Sequence, residues 1–274
     1  MRGRVLSVAG SDSGGGAGIQ ADIKTIAALG GYAATAITAL TAQDTHGVRA
    51  VHAVPPDFVR AQMRAVLDDI GADAIKTGML GEAATVLAVC EELAARAGGI
   101  PLVVDPVMLA KGGAALLAGP ALAVLRTRLI PLATVLTPNL PEAEALLGGT
   151  IADVAAMAAA AAALRGLGAG AVLLKGGHLD GAEVRDVLAT ADGIALLRAP
   201  RIATRHTHGT GCTLASAIAT GLAQGMALAE AVARARAYVR AAIAAAPGFG
   251  GGHGPLNHAI TVDPERLAAL GHLE

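Results

Sequence analysis

The segment Gly209-Thr210-Gly211-Cys212 brings two glycines and a thiol to the start of an apolar run that predicts a helix. Glycine lets backbone N–H groups turn toward one point, and the positive end of the helix dipole adds to their field. Such a nest of donors can hold an anion that forms during a reaction, and it should favour the thiolate of Cys212. The alternative is a glycine-rich helix start that buries a cysteine, and this segment alone leaves both open.

Polar residues also follow two apolar runs that predict strands. Asp105 ends the run 102–105, and Lys175 ends the run 171–175. In α/β sheets the ligand lies at the carboxyl ends of the strands, where a lysine can face a phosphate. The alternatives are an aspartate that starts a turn before Pro106 and a surface lysine whose stem covers apolar groups.

Asn139 and Glu142 stand three residues apart at a predicted helix start. At that spacing their oxygens can reach one shared water shell, as a magnesium site requires. The alternative is a helix cap in which Asn139 sets the first turn and Glu142 is favoured by the helix dipole. His178, His206 and His208 show no spacing typical of a metal site, so we expect them to form hydrogen bonds within loops.

A glycine-rich loop, residues 11–18, follows the first predicted strand. Residues 16–21 satisfy a relaxed dinucleotide-binding fingerprint, with Asp44 as the acid that would bind the ribose. That pattern is weak here, because Asp44 lies 28 positions beyond Gly16 and about 20 is usual. A flexible turn before a helix is the other interpretation. The chain has no Gly-Lys pair, which excludes a P-loop.

Composition narrows the classes of partner. The 274 residues are 54% hydrophobic and 1% aromatic, and the net charge is -1. Few aromatic side chains and no basic excess argue against nucleic-acid binding, and the punctuated apolar stretches argue against membrane spans. Cys90 and Cys212 fit neither a zinc site nor a disulfide framework, so we expect a reducing cytoplasm. Cys90 lies in an apolar helical window and should be unreactive.

Strand-like runs alternate with alanine-rich helical windows, which predicts one α/β domain over residues 1–274 with a mainly parallel sheet covered on both faces. The predicted strands are residues 5–9, 33–40, 48–54, 74–77, 102–105, 134–137, 171–175 and the antiparallel hairpin 184–190 with 194–199. Helices are expected over 19–29, 57–69 and most of 211–246, before a glycine-rich loop at 249–255.

Taken together, these motifs resemble the hydroxymethylpyrimidine/phosphomethylpyrimidine kinases of thiamine biosynthesis, within the ribokinase-like superfamily. The matching segments are residues 9–25, 38–45, 76–80, 105–108, 137–143, 174–178 and 207–212. They occur in family order and cover nearly the whole chain. The resemblance implies a three-layer αβα sandwich with a small lid, a cytoplasmic homodimer, ATP and Mg²⁺ as cofactors, and a small pyrimidine as substrate.

The resemblance also assigns residues to roles. The pyrimidine would contact Gly10, Asp22, Gln43, Met79 and Val107. Gln43 would read the aminopyrimidine edge, since a carboxamide both donates and accepts. Magnesium would be held, mostly through water, by Asp105, Asn139 and Glu142. ATP would contact Lys175, Thr207 and His208, while Gly209, Thr210, Gly211 and Cys212 would form the catalytic anion hole. Asp44 departs from the family pattern, because some relatives have Asn there.

Three rival functions stay open at this point. Pyridoxine or pyridoxal kinase activity is close, although specialised pyridoxal kinases tend to use a second cysteine in the lid and residues 107–113 contain none. A nicotinamide-dependent oxidoreductase would leave Cys212, Asn139 and Glu142 without a role. A non-catalytic nucleotide-binding protein would not need the set of reactive residues. In many related sugar kinases an aspartate base stands where this chain has Cys212, so the thiol would act as the base or position the acceptor.

Overall fold

The computed structural model describes residues 1–108, 119–263 and 265. Within these residues, nine strands form one sheet and eight α-helices pack around it. The strands are β1 (Arg4–Asp12), β2 (Tyr32–Asp44), β3 (Gly47–Ala53), β4 (Ala74–Thr77), β5 (Leu102–Val104), β6 (Val135–Leu136), β7 (Ala171–Leu174), β8 (Glu183–Thr190) and β9 (Gly193–Pro200). The helices are α1 (Gly18–Ala28), α2 (Pro56–Ala65), α3 (Ala83–Arg96), α4 (Gly119–Val124), α5 (Leu140–Leu147), α6 (Val154–Arg165), α7 (Thr210–Ala223) and α8 (Leu228–Ala244).

The centre of the sheet is parallel, as predicted. Its order is β3-β2-β1-β4-β5-β6-β7-β8-β9, and the pairs from β2 to β7 all run parallel. Only the flanking strands β3, β8 and β9 pair antiparallel. The predicted hairpin is confirmed, since β8 and β9 pair from Glu183 with Pro200 to Thr190 with Gly193. This topology brings the carboxyl ends of the central strands to one edge.

Alternation along the central strands supplies both faces with apolar side chains. Leu102 and Val104 pack into one buried cluster with Val86 of α3 and Met157 of α6. Val103, between them, packs into a second cluster on the other face of the sheet, which includes residues of α7 and α8. The short strands therefore bury both faces, and the predicted three-layer sandwich is confirmed.

Several element boundaries differ from the sequence-based expectations. The helix predicted over 57–69 is α-helical only to Ala65, and a π-helical turn, Val66–Ile70, completes it before Gly71. Strand β2 continues to Asp44 because its last part pairs with β3. Asp105 and Lys175 lie just after β5 and β7, at the edge where a ligand can reach them. Across the described part of the chain, no helix is both long and apolar enough to cross a membrane.

Candidate active site

A cavity of about 780 Å³ opens at the carboxyl edge of the sheet. This size suits a small ligand together with part of a nucleotide. The cavity wall contains every residue that the sequence assigns to the site except Asp22: Gly10, Gln43, Met79, Asp105, Val107, Asn139, Glu142, Lys175, Thr207, His208, Gly209, Thr210, Gly211 and Cys212. These residues come from seven chain segments at strand ends, helix starts and loops that the sheet topology brings to one edge.

The start of α7 forms one wall of the cavity. Gly209 is the N-cap residue with φ +82°, and a Cβ there would stand 1.8 Å from the backbone oxygen of Gly16. Only glycine fits this contact, which joins α7 to the glycine-rich loop. In the first helical turn the N–H groups of Gly211 and Cys212 have no carbonyl partner within the helix, so they are available to an anion in the cavity, whereas the Thr210 N–H donates to the Thr207 backbone oxygen at 3.4 Å.

The Cys212 thiol lines this wall and is only partly exposed. Burial raises its pKa to about 11, and it outweighs the nearby Lys76 ammonium and a hydrogen bond from the Gly18 backbone, which lower it. Burial therefore outweighs the favourable effect expected from the helix end, and the reactivity of Cys212 stays a prediction. Burial raises the pKa of Cys90 to about 11 as well, so the two thiols differ in access to the cavity and not in acidity.

Lys175 and Asp105 form an ion pair beside α7. The Lys175 ammonium donates to Asp105 Oδ1 at 3.0 Å, and Thr137 Oγ1 also donates to this oxygen at 3.2 Å. Burial lowers the pKa of Lys175, but Asp105 and Glu142 raise it by more, so it stays charged. A Cβ on Gly211 would lie 3.2 Å from Lys175 Nζ, so the glycine lets the helix start approach this cation.

Asn139 and Glu142 form a reciprocal capping box at the start of α5. Asn139 Oδ1 accepts from the Glu142 backbone at 2.9 Å, and Glu142 Oε2 accepts from the Asn139 backbone at 2.8 Å. The two side chains thus form the helix cap that the alternative interpretation predicts. Burial raises the pKa of Glu142 to about 7, Lys175 lowers it and the Asp105 carboxylate raises it. A second carboxylate is therefore near Asp105 in the same cavity.

Asp12 stabilises the glycine-rich loop at the opposite wall of the cavity. This residue was not identified from the sequence. Its carboxylate accepts backbone N–H groups of Gly14, Gly16 and Ala17 at 2.8–3.0 Å and a 2.9 Å hydrogen bond from His208 Nε2. Burial raises the pKa of Asp12, but these hydrogen bonds together hold it below its usual value. An aspartate directly before a glycine run is a typical acceptor for turn N–H groups, and this signal could have identified it.

His208 lies beside Gln43 in the cavity wall, and its assignment to ATP stays a prediction. Its Nε2 stands 3.2 Å from Gln43 Nε2 and donates to Asp12. Gln43 Oε1 in turn accepts from Thr41 Oγ1 at 3.2 Å. His208 thus connects the helix start with the residue expected to read the substrate, because the loop before α7 packs against the glycine-rich loop.

A family model described as phosphomethylpyrimidine kinase matches residues 12–257. The chain belongs to this family. A hydroxymethylpyrimidine/phosphomethylpyrimidine kinase of Streptomyces coelicolor is 53% identical over 94% of this chain and 95% of its own length. A thiamine biosynthesis bifunctional protein of Geobacter sulfurreducens is 54% identical over 97% of this chain, which spans 54% of that longer protein.

Solved structures of similar proteins have the same fold. A phosphomethylpyrimidine kinase of Clostridium difficile is 42% identical with a TM-score of 0.77, over 86% of this chain and 97% of that one. An ADP complex of a Bacillus subtilis pyridoxal kinase is 35% identical with a TM-score of 0.87, over 94% of this chain and 98% of that one. Both support the ribokinase-like architecture.

Asp22 does not line the cavity, although the resemblance to phosphomethylpyrimidine kinases assigns it to the pyrimidine. It is fully buried beneath the cavity, where it accepts from Ser7 Oγ at 2.5 Å, from Ser216 Oγ at 2.7 Å and from Lys76 Nζ at 2.9 Å. The expected contact with the pyrimidine is corrected to a place in the layer below. Asp22 lies on the side of α1 that faces the sheet. A lysine within the buried strand β4 needs a buried acidic partner, and this sequence signal for the position of Asp22 was missed.

The kinase family implies magnesium, and the donor set fits it in part. No ready cage of three or more His, Cys, Asp or Glu side chains exists among the described residues. Magnesium needs no such cage, because it keeps several waters and binds through one or two carboxylates and the phosphates. Asp105 and Glu142 supply two carboxyl groups to the cavity wall, and Asn139 and Glu142 each engage one side-chain oxygen in the cap. A water-rich site on these two carboxylates fits.

The dinucleotide alternative fails on geometry. The Asp44 carboxylate accepts from the backbone of His46 and Gly47 and pairs with Arg49. It thus stabilises the turn between β2 and β3. It does not line the cavity, so it is not placed to bind a ribose there.

Proposed function

We propose that the protein transfers the γ-phosphoryl group of ATP to the hydroxyl of 4-amino-5-hydroxymethyl-2-methylpyrimidine, and then a second one to the monophosphate, giving the diphosphate for thiamine biosynthesis. The observation that carries this proposal is one cavity with Gln43 on one wall and the helix start at Gly209 and Cys212 on another. The sequence relatives bear the name of this activity over most of the chain.

At the pyrimidine end of the cavity, the polar side chain of Gln43 lies among apolar walls. Met79 and Val107 line it, and Gly10 has no side chain to obstruct a flat ring. A Cβ on Gly10 would lie 3.2 Å from the Met79 sulfur, so the glycine keeps that space free. The Gln43 carboxamide can donate to a ring nitrogen and accept from the exocyclic amine.

The phosphate end suits a transfer in which charge stabilisation is the main task. The first-turn N–H groups of α7 point toward developing negative charge, and the Lys175 ammonium neutralises phosphate oxygens beside them. Asp105 and Glu142 would hold Mg²⁺ through water, and the ion would supply further neutralisation of the phosphate charge. Cys212 faces the same place and can take the acceptor proton or position the hydroxyl.

ATP as donor is supported by the nucleotide complex of the Bacillus subtilis relative. The residues of this chain suited to the triphosphate are Lys175 and the helix start at Gly211, which approach each other closely. Thr207 also lines the cavity. The homodimer and the cytoplasmic location implied by the sequence resemblance stay predictions.

Pyridoxal phosphorylation is the second candidate, because the pyridoxal kinase structure overlays with a higher TM-score than the pyrimidine kinase. Sequence identity favours the pyrimidine kinase instead. Steady-state kinetics with ATP and Mg²⁺ should give the higher kcat/KM with hydroxymethylpyrimidine than with pyridoxal or pyridoxine. A higher kcat/KM with pyridoxal would reverse the order of the two candidates.

A further inference from the structure

A fully buried ion pair lies beneath the cavity. Lys76 Nζ donates to both Asp22 oxygens, at 3.0 and 2.9 Å, and neither side chain has any solvent exposure. Neither residue lines the cavity, so the proposed function gives the pair no task. Burying two charges is costly, and a buried pair is weak evidence for stability by itself. Stability alone therefore does not explain why this ion pair is buried here.

The pair is connected to the helix that carries the anion hole. Asp22 of α1 accepts from Ser7 of β1 and, at 2.7 Å, from Ser216 of α7. Ser216 is one helical turn beyond Cys212, so it lies on the same side of α7. The hydrogen bond thus fixes the first turn of α7 relative to the charged pair.

The position of the ammonium is tightly defined. A Cβ on Gly78 would lie 2.8 Å from Lys76 Nζ and 3.0 Å from Ala9 Cβ. Burial lowers the pKa of Lys76, but Asp22 foremost raises it by more, and Cys212 and Asp105 are close enough to add to that effect. The charge is therefore permanent and close to the cavity wall.

We propose that Lys76, held by Asp22, is a positioning residue that keeps a positive charge behind Cys212 and so favours the thiolate that takes the proton of the substrate hydroxyl. The proposal rests on the proposed function. The thiol first releases its proton to solvent, and the sulfur then takes the hydroxyl proton. The hydroxyl oxygen bonds to the γ-phosphorus, whose bond to the bridging oxygen breaks, and ADP leaves with that electron pair.

Four charged groups act on Cys212 from the elements around it. The ammonium of Lys76 on β4 lowers the pKa of the thiol, and the carboxylates of Asp22 on α1 and Asp105 after β5 raise it. Lys175, after β7, also interacts with the sulfur. Because the two members of the buried pair have opposite effects, removing one charge at a time should move the thiol in opposite directions.

The test uses the full-length protein with Cys90→Ala as parent, so that Cys212 is the one thiol that iodoacetamide can label. Only the thiolate reacts, so the rate reports its population. Lys76→Met should slow labelling at neutral pH by about tenfold, and Asp22→Asn should accelerate it by a similar factor, for a pKa change of about one unit. A merely structural role would loosen α7 in both variants and accelerate both, which would overturn the proposal.

The double variant Lys76→Met/Asp22→Asn covers the case in which a lone buried charge prevents folding, because it removes the pair as a unit. Lys76 has the larger of the two charge effects on Cys212, so the double variant should still label more slowly than the parent. Its kcat should fall with KM for the pyrimidine little changed. Labelling as fast as in the parent, or an unchanged kcat, would contradict the proposal.

Labelling needs no substrate, so the outcome is independent of the proposed reaction. If the parent phosphorylates no pyrimidine, the proposed function fails while the labelling order still reports whether Lys76 and Asp22 control the thiol. If the parent is an active kinase and both single variants label faster, only the role of Lys76 fails.

Discussion

Gln43 shows how one side chain can select the substrate. Its carboxamide lies between Thr41 and His208 at the cavity wall. His208 is itself held by a hydrogen bond to Asp12, so the glycine-rich loop fixes the imidazole ring that the Gln43 carboxamide contacts. The specificity of the site therefore depends on an orientation that three neighbouring side chains maintain.

Gln43→Leu should weaken selection of the aminopyrimidine. A neutral polar edge left unpaired in a closed site costs about 1–3 kcal/mol, which corresponds to a loss of roughly fivefold to 150-fold in kcat/KM. Steady-state kinetics with the pyrimidine measure the loss, and slow ATP hydrolysis without pyrimidine serves as the control that should change little. An unchanged kcat/KM would mean that another residue reads the ring.

At this scale, motif position predicts which residues reach the cavity but not what surrounds them. Lys175 and Asp105 could be placed because they follow apolar runs. Asp22 could not, because its orientation is set by Lys76 and Ser216, which are distant in the sequence. The acidity of Cys212 depends on burial, which no local pattern reveals.

Among the elements, α7 has the most direct effect on chemistry. Its N-cap Gly209 touches the glycine-rich loop, and its first turn approaches Lys175. Apolar runs were sufficient to predict the core strands, since β4 has the predicted bounds. The π-helical turn Val66–Ile70 was not foreseen, because a helical period in the sequence does not distinguish an α-turn from a π-turn.

The two ends of α7 offer a matched pair of substitutions. Gly209 and Gly225 have φ +82° and +83°, but only Gly209 has neighbours within 4 Å of an added Cβ. Each alanine variant should lose about 1–2 kcal/mol of unfolding free energy from backbone strain. Gly209→Ala should in addition displace the anion hole from Gly16 and lower kcat by about a hundredfold or more.

Chemical denaturation and initial rates measure these effects separately. Gly225→Ala is expected to keep the kcat of the parent. Equal kcat values for the two variants would show that the contact between Gly209 and the glycine-rich loop does not shape the site.

For the whole molecule, one sheet brings seven chain segments to one edge, and long-range contacts hold the α7 layer in place. His258, after α8, bonds to Thr213 of α7 at 2.9 Å, and Tyr238 donates to its backbone oxygen at 2.7 Å. The alternation of strands and helices predicts the layers, whereas these contacts depend on the folded chain. A single domain over 1–274 stays a prediction, since residues 109–118, 264 and 266–274 lie outside the described residues.

His258 should make stability depend on pH. Burial foremost, with the charge of Lys24, lowers its pKa to about 4 from 6.5. The folded state therefore resists the proton that the unfolded state binds, and stability is lost as the pH falls from about 6.5 to 4, by roughly 3 kcal/mol from this group. Denaturation curves should show His258→Gln less stable at pH 7, with the gap to the parent closing toward pH 4. Parallel curves across that range would rule out this role.

The central claim is that this one cavity adds two phosphates in succession to one pyrimidine alcohol. Mass spectrometry of a time course with hydroxymethylpyrimidine, ATP and Mg²⁺ tests it most directly. We expect a monophosphate that rises first and is then consumed as a diphosphate forms, with one ADP released at each step. Absence of any phosphorylated pyrimidine, or a monophosphate that accumulates and is never consumed, would contradict it.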